Sequence, residues 1–314
     1  MKKLLTMLLL ASILLLPVAY AEADAPVRVA SLKGPTSMGM AKMIHEADAA
    51  YSFTIEGTAD AIVPSLITGE IDIVLLPCNL ASVLYKKTEG AVSVAAINTL
   101  GVLYIVEVGD TIHSVEDLKG VSMASTGKGT TPEYALNHVL KANGIDPASD
   151  LSIEYMAEAT EVASALASGA VSVAMLPQPY VTAACAQNES LRVALSLTEM
   201  WDAIGDGSAL VTGVVLVRDA FIEERPEAFA AFMAAYEEST SYVNENPAEA
   251  AQWIEEIGIA KAAIAEKAIP ACNIVCIKGA EMQESISGYL EALYEEDPAS
   301  VGGALPDEAF YHLG

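Results

Sequence analysis

From residue 27 onward the chain alternates short β-branched runs with stretches whose apolar residues recur every three or four positions, a strand and helix order of α/β type. Val27 to Leu32 reads as a strand feeding Lys33-Gly34-Pro35-Thr36-Ser37 and a helix from about Met38. Val121 to Ser125 reads as its counterpart, feeding Gly127-Lys128-Gly129-Thr130-Thr131 and a helix from Pro132. A longer echo follows each. Leu66-Ile67-Thr68-Gly69-Glu70-Ile71-Asp72-Ile73-Val74-Leu75-Leu76-Pro77 returns one hundred positions later as Leu166-Ala167-Ser168-Gly169-Ala170-Val171-Ser172-Val173-Ala174-Met175-Leu176-Pro177. A helix precedes each echo, over 60–68 and 160–168, and a strand precedes each helix, over 52–56 and 151–155. Glycine supplies the left-handed cap after each helix, and the apolar run after it suits a strand buried on both faces of a parallel sheet.

The duplication predicts two βαβ lobes. The β-branched runs 101–108 and 211–218 are the natural crossover strands between them, which assigns 27–105 plus 213–314 to lobe one and 106–212 to lobe two. Beyond Arg218 the pattern turns helical. Helices are predicted to start at Arg225-Pro226-Glu227 and Asn246-Pro247-Ala248-Glu249, with another over 283–294, and this tail is expected to pack on lobe one.

The first residues carry a different pattern. Lys2 and Lys3 precede an apolar run from Leu4 to Leu16 and a small-x-small site at Ala19-Tyr20-Ala21, which reads as an export signal over 1–21. The run is shorter than the roughly 20 residues that span a bilayer. A mature chain beginning near Glu22, with no cysteine there for lipid attachment, is expected to be periplasmic or secreted. About 290 residues then remain of 314, enough for two lobes with real cores.

Charge narrows the partners. With 16 Lys and Arg against 42 Asp and Glu the net is −26, and loss of Lys2 and Lys3 makes it −28. Nucleic acid is therefore not an expected partner. Screening over about 8 Å at physiological salt still leaves room for an anion in a locally favourable cleft. Cys78, Cys185, Cys272 and Cys276 follow no zinc-site spacing and read as small buried apolar residues, their pairing undecided.

In open parallel sheets ligands bind beyond the carboxyl ends of the strands. The duplication places four loops there: Lys33, Gly34, Pro35, Thr36, Ser37 and Met38; Pro77, Cys78 and Asn79; Gly127, Lys128, Gly129, Thr130 and Thr131; and, after Pro177, Gln178, Pro179 and Tyr180. Thr131-Pro132-Glu133 looks like a capped helix start able to hold an anion, with Ser37 as its equivalent. Lys33 and Lys128 flank the two loops. Asn79 and Gln178 stand at matching positions and could both donate and accept, while Tyr180 could stack on a flat ligand. The loops contain no arginine, hence no bidentate carboxylate clamp. His45, His113, His138 and His312 are scattered, and no G-x-S-x-G, H-E-x-x-H or complete phosphate-loop motif is present, so catalysis is not expected.

With these residues in view, the chain resembles the solute-binding proteins of ABC transporters in the nitrate, sulfonate and taurine group, together with the thiamine-pyrimidine binders. The likeness rests on Val29 to Gly39, Gly69-Glu70-Ile71-Asp72-Ile73, Ser114-Val115-Glu116-Asp117-Leu118-Lys119-Gly120, Leu176-Pro177-Gln178-Pro179-Tyr180 and the closing Ser300 to Asp307. It implies a type II periplasmic-binding-protein fold whose lobes close by a hinge on a small molecule, no cofactor, a monomer, and an ABC permease as partner. The implied ligand is a small organic anion or heterocycle: a sulfonate, a nitrate-like ion or a pyrimidine. A ligand-sensing receptor and a thiamine-pyrimidine synthesis enzyme are the alternative readings.

Overall fold

The computed structural model describes residues 25–314; the export signal read at 1–21 lies outside the described residues. Eleven strands follow one another as β1 (Val27–Leu32), β2 (Tyr51–Glu56), β3 (Ile73–Pro77), β4 (Val92–Leu100), β5 (Leu103–Val108), β6 (Ser122–Thr126), β7 (Ser152–Met156), β8 (Val173–Pro177), β9 (Leu191–Ser196), β10 (Val211–Arg218) and β11 (Ile274–Ile277). The helices are α1 (Pro35–Met38), α2 (Ala41–Glu46), α3 (Val63–Thr68), α4 (Cys78–Lys87), α5 (Thr131–Ala142), α6 (Ala159–Ala167), α7 (Tyr180–Gln187), α8 (Leu197–Asp202), α9 (Asp219–Glu224), α10 (Pro226–Glu245), α11 (Pro247–Glu256), α12 (Ala262–Ala268) and α13 (Gly279–Glu296).

Two sheets result, ordered β11-β4-β10-β3-β1-β2 and β7-β6-β8-β5-β9. The expected duplication is visible in the strand order, because β3-β1-β2 in one sheet and β8-β6-β7 in the other are parallel triplets with the first-built strand in the middle. Their caps match as well. Gly69 and Gly169 take φ of 80° and 76°, and their N–H groups donate to Leu66 O and Leu166 O at 3.2 and 3.1 Å. Only a residue without Cβ adopts that left-handed turn at little cost.

The chain crosses between sheets twice. β4 pairs in the first sheet and β5 in the second, so the first crossing is confined to Gly101 and Val102. The second runs from β9 through α8 to β10, with residues 203–210 completing it. The run 101–108, read as one crossover strand, thus divides into a two-residue crossing and a strand that belongs wholly to the second sheet. β10 lies antiparallel to β3 and β4, and β5 antiparallel to β8 and β9. The carboxyl ends of β1, β3 and β4 therefore share one edge with the start of β10, and those of β6, β8 and β9 share one edge with the start of β5. Both crossings leave from these two edges.

Hydrophobic burial fixes the helices to the sheets. α10 turns Phe229, Phe232, Met233 and Tyr236 onto one face of the first sheet, against Val27, Val29, Ile73, Leu75 and Val215. Each such side chain contributes about 1.5–3 kcal/mol when taken fully out of water. The other face is covered by α4 and α13, whose Leu84, Tyr289, Leu290 and Leu293 pack with Val94, Val214 and Leu216. α13 also reaches the second lobe: Tyr289 packs on Trp201 of α8 with ring centres 5.7 Å apart, and Lys141 of α5 donates to both Glu296 oxygens at 2.7 Å. No helix among the described residues is long and apolar enough to cross a membrane.

Candidate functional site

The edge shared by β1, β3 and β4 is built from small polar residues that fold back on their own strand ends. Leu32 O, the last carbonyl of β1, accepts from Thr36 Oγ1 at 2.9 Å and from Ser37 Oγ at 2.6 Å, and Ser31 Oγ lies 2.8 Å from Ser37 Oγ. These bonds hold α1 tightly over the strand, helped by Gly34 at φ 141° and Pro35 in the first turn. β4 delivers Asn98 to the same place. The β4–β10 register steps from Thr99↔Gly213 to Ile97↔Val214, leaving Asn98 as the extra residue of a bulge, a device that re-aims a side chain. Asn98 Nδ2 donates to Thr36 O at 3.3 Å. Gly213 is required opposite, since a Cβ there would overlap Asn98 Oδ1 and lie 2.5 Å from Thr36 Cγ2.

The edge of the second sheet mirrors this. Ser125 in β6 takes the place of Ser31 in β1, and each hydroxyl donates to the next carbonyl, at 3.2 and 3.3 Å. Gly127, at φ 77°, turns the chain into α5, with Thr130 Oγ1 donating to Gly127 O at 2.6 Å. The helix cap is Thr130 rather than Thr131, which forms the first helical residue ahead of Pro132. Glu133 in the first turn accepts from Gly129 N at 2.5 Å. Gln178 is buried; its backbone N–H donates to Val102 O of the first crossing at 2.9 Å, and its Oε1 accepts from Thr182 Oγ1 at 2.8 Å.

Four helices of eight residues or more begin at these edges: α4 after the Pro77 cap, α5 after Thr130, α6 after Glu158 and α7 after Pro179. Each directs the positive end of its dipole there, an effect of about 0.3–1 kcal/mol per helix on a nearby negative group. The buried polar side chains at the two edges, Ser31, Thr36, Ser37, Asn98, Thr99, Ser125 and Gln178, are all uncharged. The buried carboxylates Asp72 and Glu107 sit at the opposite ends of their sheets, beside Arg28 and Arg218 and beside Arg192 respectively. A recess of about 800 Å³ lined by Arg28, Asp72, Arg218 and Arg225 is at that far, amino-terminal edge, away from the carboxyl ends of the parallel strands.

The sequence-derived candidates divide accordingly. Thr36, Ser37, Thr131 and Gln178 stand at the edges, and Thr131 faces the Tyr289 phenol, whose ionisation burial opposes. Met38 and Cys78 are fully buried in apolar clusters, where burial also pushes the Cys78 thiol up. Asn79 Nδ2 donates to Ser300 O at 3.2 Å, tying α4 to the C-terminal segment. Lys33 and Lys128 are exposed, and Lys128 Nζ rests 5.9 Å from the Tyr155 ring centre on β7. Tyr180 packs partly into the second-lobe core. Ser31, Asn98, Thr99, Ser125 and Thr198 were not singled out from sequence, although the paired Ala30-Ser31 and Ala124-Ser125 and the polar Asn98-Thr99 ending an apolar run are visible signals. Among the described residues no group of His, Cys, Asp and Glu could hold a metal ion.

Residues 40–268 match the family described as ABC transporter, phosphonate, periplasmic substrate-binding protein. No curated protein matches the sequence. Among solved structures the chain is similar to an ABC transporter protein from Parabacteroides distasonis, at 26% identity over 92% of this chain and 99% of that one, TM-score 0.79. It is similar in fold to the periplasmic aliphatic sulphonate binding protein SsuA from Escherichia coli, at 16% identity over 89% and 90%, TM-score 0.71. The periplasmic nitrate-binding protein NrtA from Synechocystis shares the fold at 14% identity over 74% and 66%, TM-score 0.51.

Proposed function

We propose, from the premise that this chain belongs to the family of phosphonate-type periplasmic substrate-binding proteins of ABC transporters, that it captures a small polar solute where the carboxyl edges of its two sheets converge. Members of this family bind small molecules and work with a membrane permease; they are not enzymes. The observation that carries the reading is the concentration of buried hydroxyl and amide groups and four helix starts at the ends of the sheets from which the described chain crosses. A solute held there is touched by both lobes, so its binding free energy rises when they close and the closed form is selected. The two-residue crossing at Gly101 and Val102 and the longer one over 203–210 serve as the hinge.

The ligand class is a small organic anion or a heterocycle, the sulfonate, nitrate-like and pyrimidine types. Uncharged buried donors and helix dipoles suit one diffuse negative charge or a neutral ring with polar edges better than a compact dianion, because Lys33 and Lys128 are exposed and no buried cation stands at these edges among the described residues. The closed complex is then presented to an ABC permease. The test is mass spectrometry of any compound released on denaturing protein purified without added ligand, followed by calorimetry with that compound and with a panel of sulfonates, nitrate and pyrimidines. A bound solute that contracts the protein in small-angle X-ray scattering is expected. Absence of a released compound together with no heat from any member of the panel would overturn the capture reading.

A further inference from the structure

We infer that the captured solute presents an N–H or O–H donor to Asn98 Oδ1, which makes a plain oxoanion the wrong cargo; this inference rests on the capture reading and deepens it. Asn98 is 1% exposed, and its Oδ1 has no hydrogen-bond partner among the described residues. The amide orientation is fixed by its other end. Nδ2 donates to Thr36 O, and a flip would set two acceptors against each other.

Two hydroxyls near the crossings are also unpartnered, Thr99 Oγ1 and Thr198 Oγ1. A hydroxyl can rotate to donate or accept, so both adapt to any polar ligand. Asn98 Oδ1 can only accept. It is therefore the discriminating group: an ionised sulfonate or nitrate oxygen placed there meets a second acceptor, whereas an amino, amide or hydroxyl group completes the bond.

Local structure argues that the placement is built for this purpose. The bulge takes Asn98 out of the β4–β10 register, the facing residue is the glycine whose missing Cβ makes room for Oδ1, and Thr36 from α1 clamps the amide. The position is three residues before the Gly101 crossing, at the edge from which the chain passes to the second sheet. A site built around a buried acceptor rejects a ligand that cannot satisfy it more strongly than it rewards one that can.

Matched probes test this by calorimetry on the purified protein: taurine against ethanesulfonate, which lacks its amino group, and uracil against 1,3-dimethyluracil, which lacks its N–H donors. The donor-bearing member of at least one pair should bind on the order of 10- to 100-fold more tightly than its mate. Asn98→Leu should erase that ratio, while Asn98→Asp, which retains an acceptor oxygen, should preserve its sign; urea unfolding of each variant establishes that it is folded. Donor-free probes binding as tightly as their mates in every pair that binds, or an unchanged ratio in folded Asn98→Leu, overturn the inference and leave capture standing. If none of the four probes binds, the compound released from the native protein decides: a formula with no N–H or O–H donor at neutral pH refutes the donor requirement. If there is no such compound and the wider panel of sulfonates, nitrate and pyrimidines gives no heat either, the capture reading falls and this inference falls with it.

Discussion

Replacing Gly101 with alanine addresses the hinge directly. Gly101 is buried where the two crossings touch: a Cβ there would overlap Thr198 Oγ1 and fall 2.6 and 3.0 Å from Leu210 Cδ2 and Cγ. Overpacking of this kind costs about 1–3 kcal/mol, against which the stiffer unfolded chain of an alanine variant returns about 0.4–1 kcal/mol. A net loss of about 1.5 kcal/mol follows. With a urea slope of about 3 kcal/mol per molar for a chain of this size, the unfolding midpoint should fall by about 0.5 M. Trp201, buried between His138 and Tyr289 beside the second crossing, provides the fluorescence signal. Gly57→Ala is the control, because its Cβ would meet nothing within 4 Å and its backbone lies outside the left-handed region. Thr198→Ala should recover part of the loss, since Thr198 Oγ1 has no partner to forfeit while the Leu210 contact persists. Equal midpoints for Gly101→Ala and Gly57→Ala, or no recovery on adding Thr198→Ala, would refute the hinge packing described above.

Two further outcomes follow from the ends of the sheets away from the site and from the core. Burial disfavours ionisation of Glu107, yet bonds from the Thr111 hydroxyl and N–H, the Ile112 N–H and Arg192 outweigh it and hold its carboxyl below the usual glutamate range. A depressed carboxyl stabilises the fold above its unfolded pKa of about 4.3 and stops doing so as pH falls through the lower folded value. Glu107→Gln should therefore lose about 3 kcal/mol at pH 7, with the gap to the unmodified protein closing below about pH 4 in acid unfolding curves; a gap independent of pH would show that Glu107 is not ionised in the fold. Phe232→Ala on α10 removes a fully buried ring that stacks on Tyr236 and meets Tyr51 edge-on, and should cost about 3–5 kcal/mol by urea unfolding, a loss below 1 kcal/mol contradicting the described core.

The duplicated units were legible in the sequence because helix period, glycine cap and apolar strand are local signals, and α3-β3 and α6-β8 fall where those signals put them. β4 was not legible. Its Val-Ser-Val-Ala-Ala-Ile-Asn-Thr-Leu is buried almost throughout but carries small and polar residues of weak strand preference, and nothing local tells that β4 and β5, two residues apart, join different sheets. The site shows the same divide. The offset of one hundred pairs Gln178 with Cys78 and Asn79 with Pro179, so the two amides read as matching are one position out of step; Asn79 binds Ser300, 221 residues away, and Gln178 binds Thr182 in the helix that follows it. At this loop the first copy meets Ser300 of the C-terminal segment and the second copy has no such partner among the described residues, a contact no pattern along the chain announces. Asn98 was missed because its meaning comes from the bulge and from Gly213 across the ladder.

The position of β10 has a consequence for how the molecule is made. It lies between β3 and β4, in the interior of the first sheet, but is encoded at residues 211–218, after every strand of the second sheet. A chain emerging amino end first can finish the second sheet, a contiguous stretch from β5 to β9, while the first still has a gap one strand wide with two unpaired edges. The half that begins first is completed last. Assembly of this protein is thus nested, the inner unit closing before the outer one can, and a chain halted near residue 210 would expose just those open edges that favour sticking to a second copy.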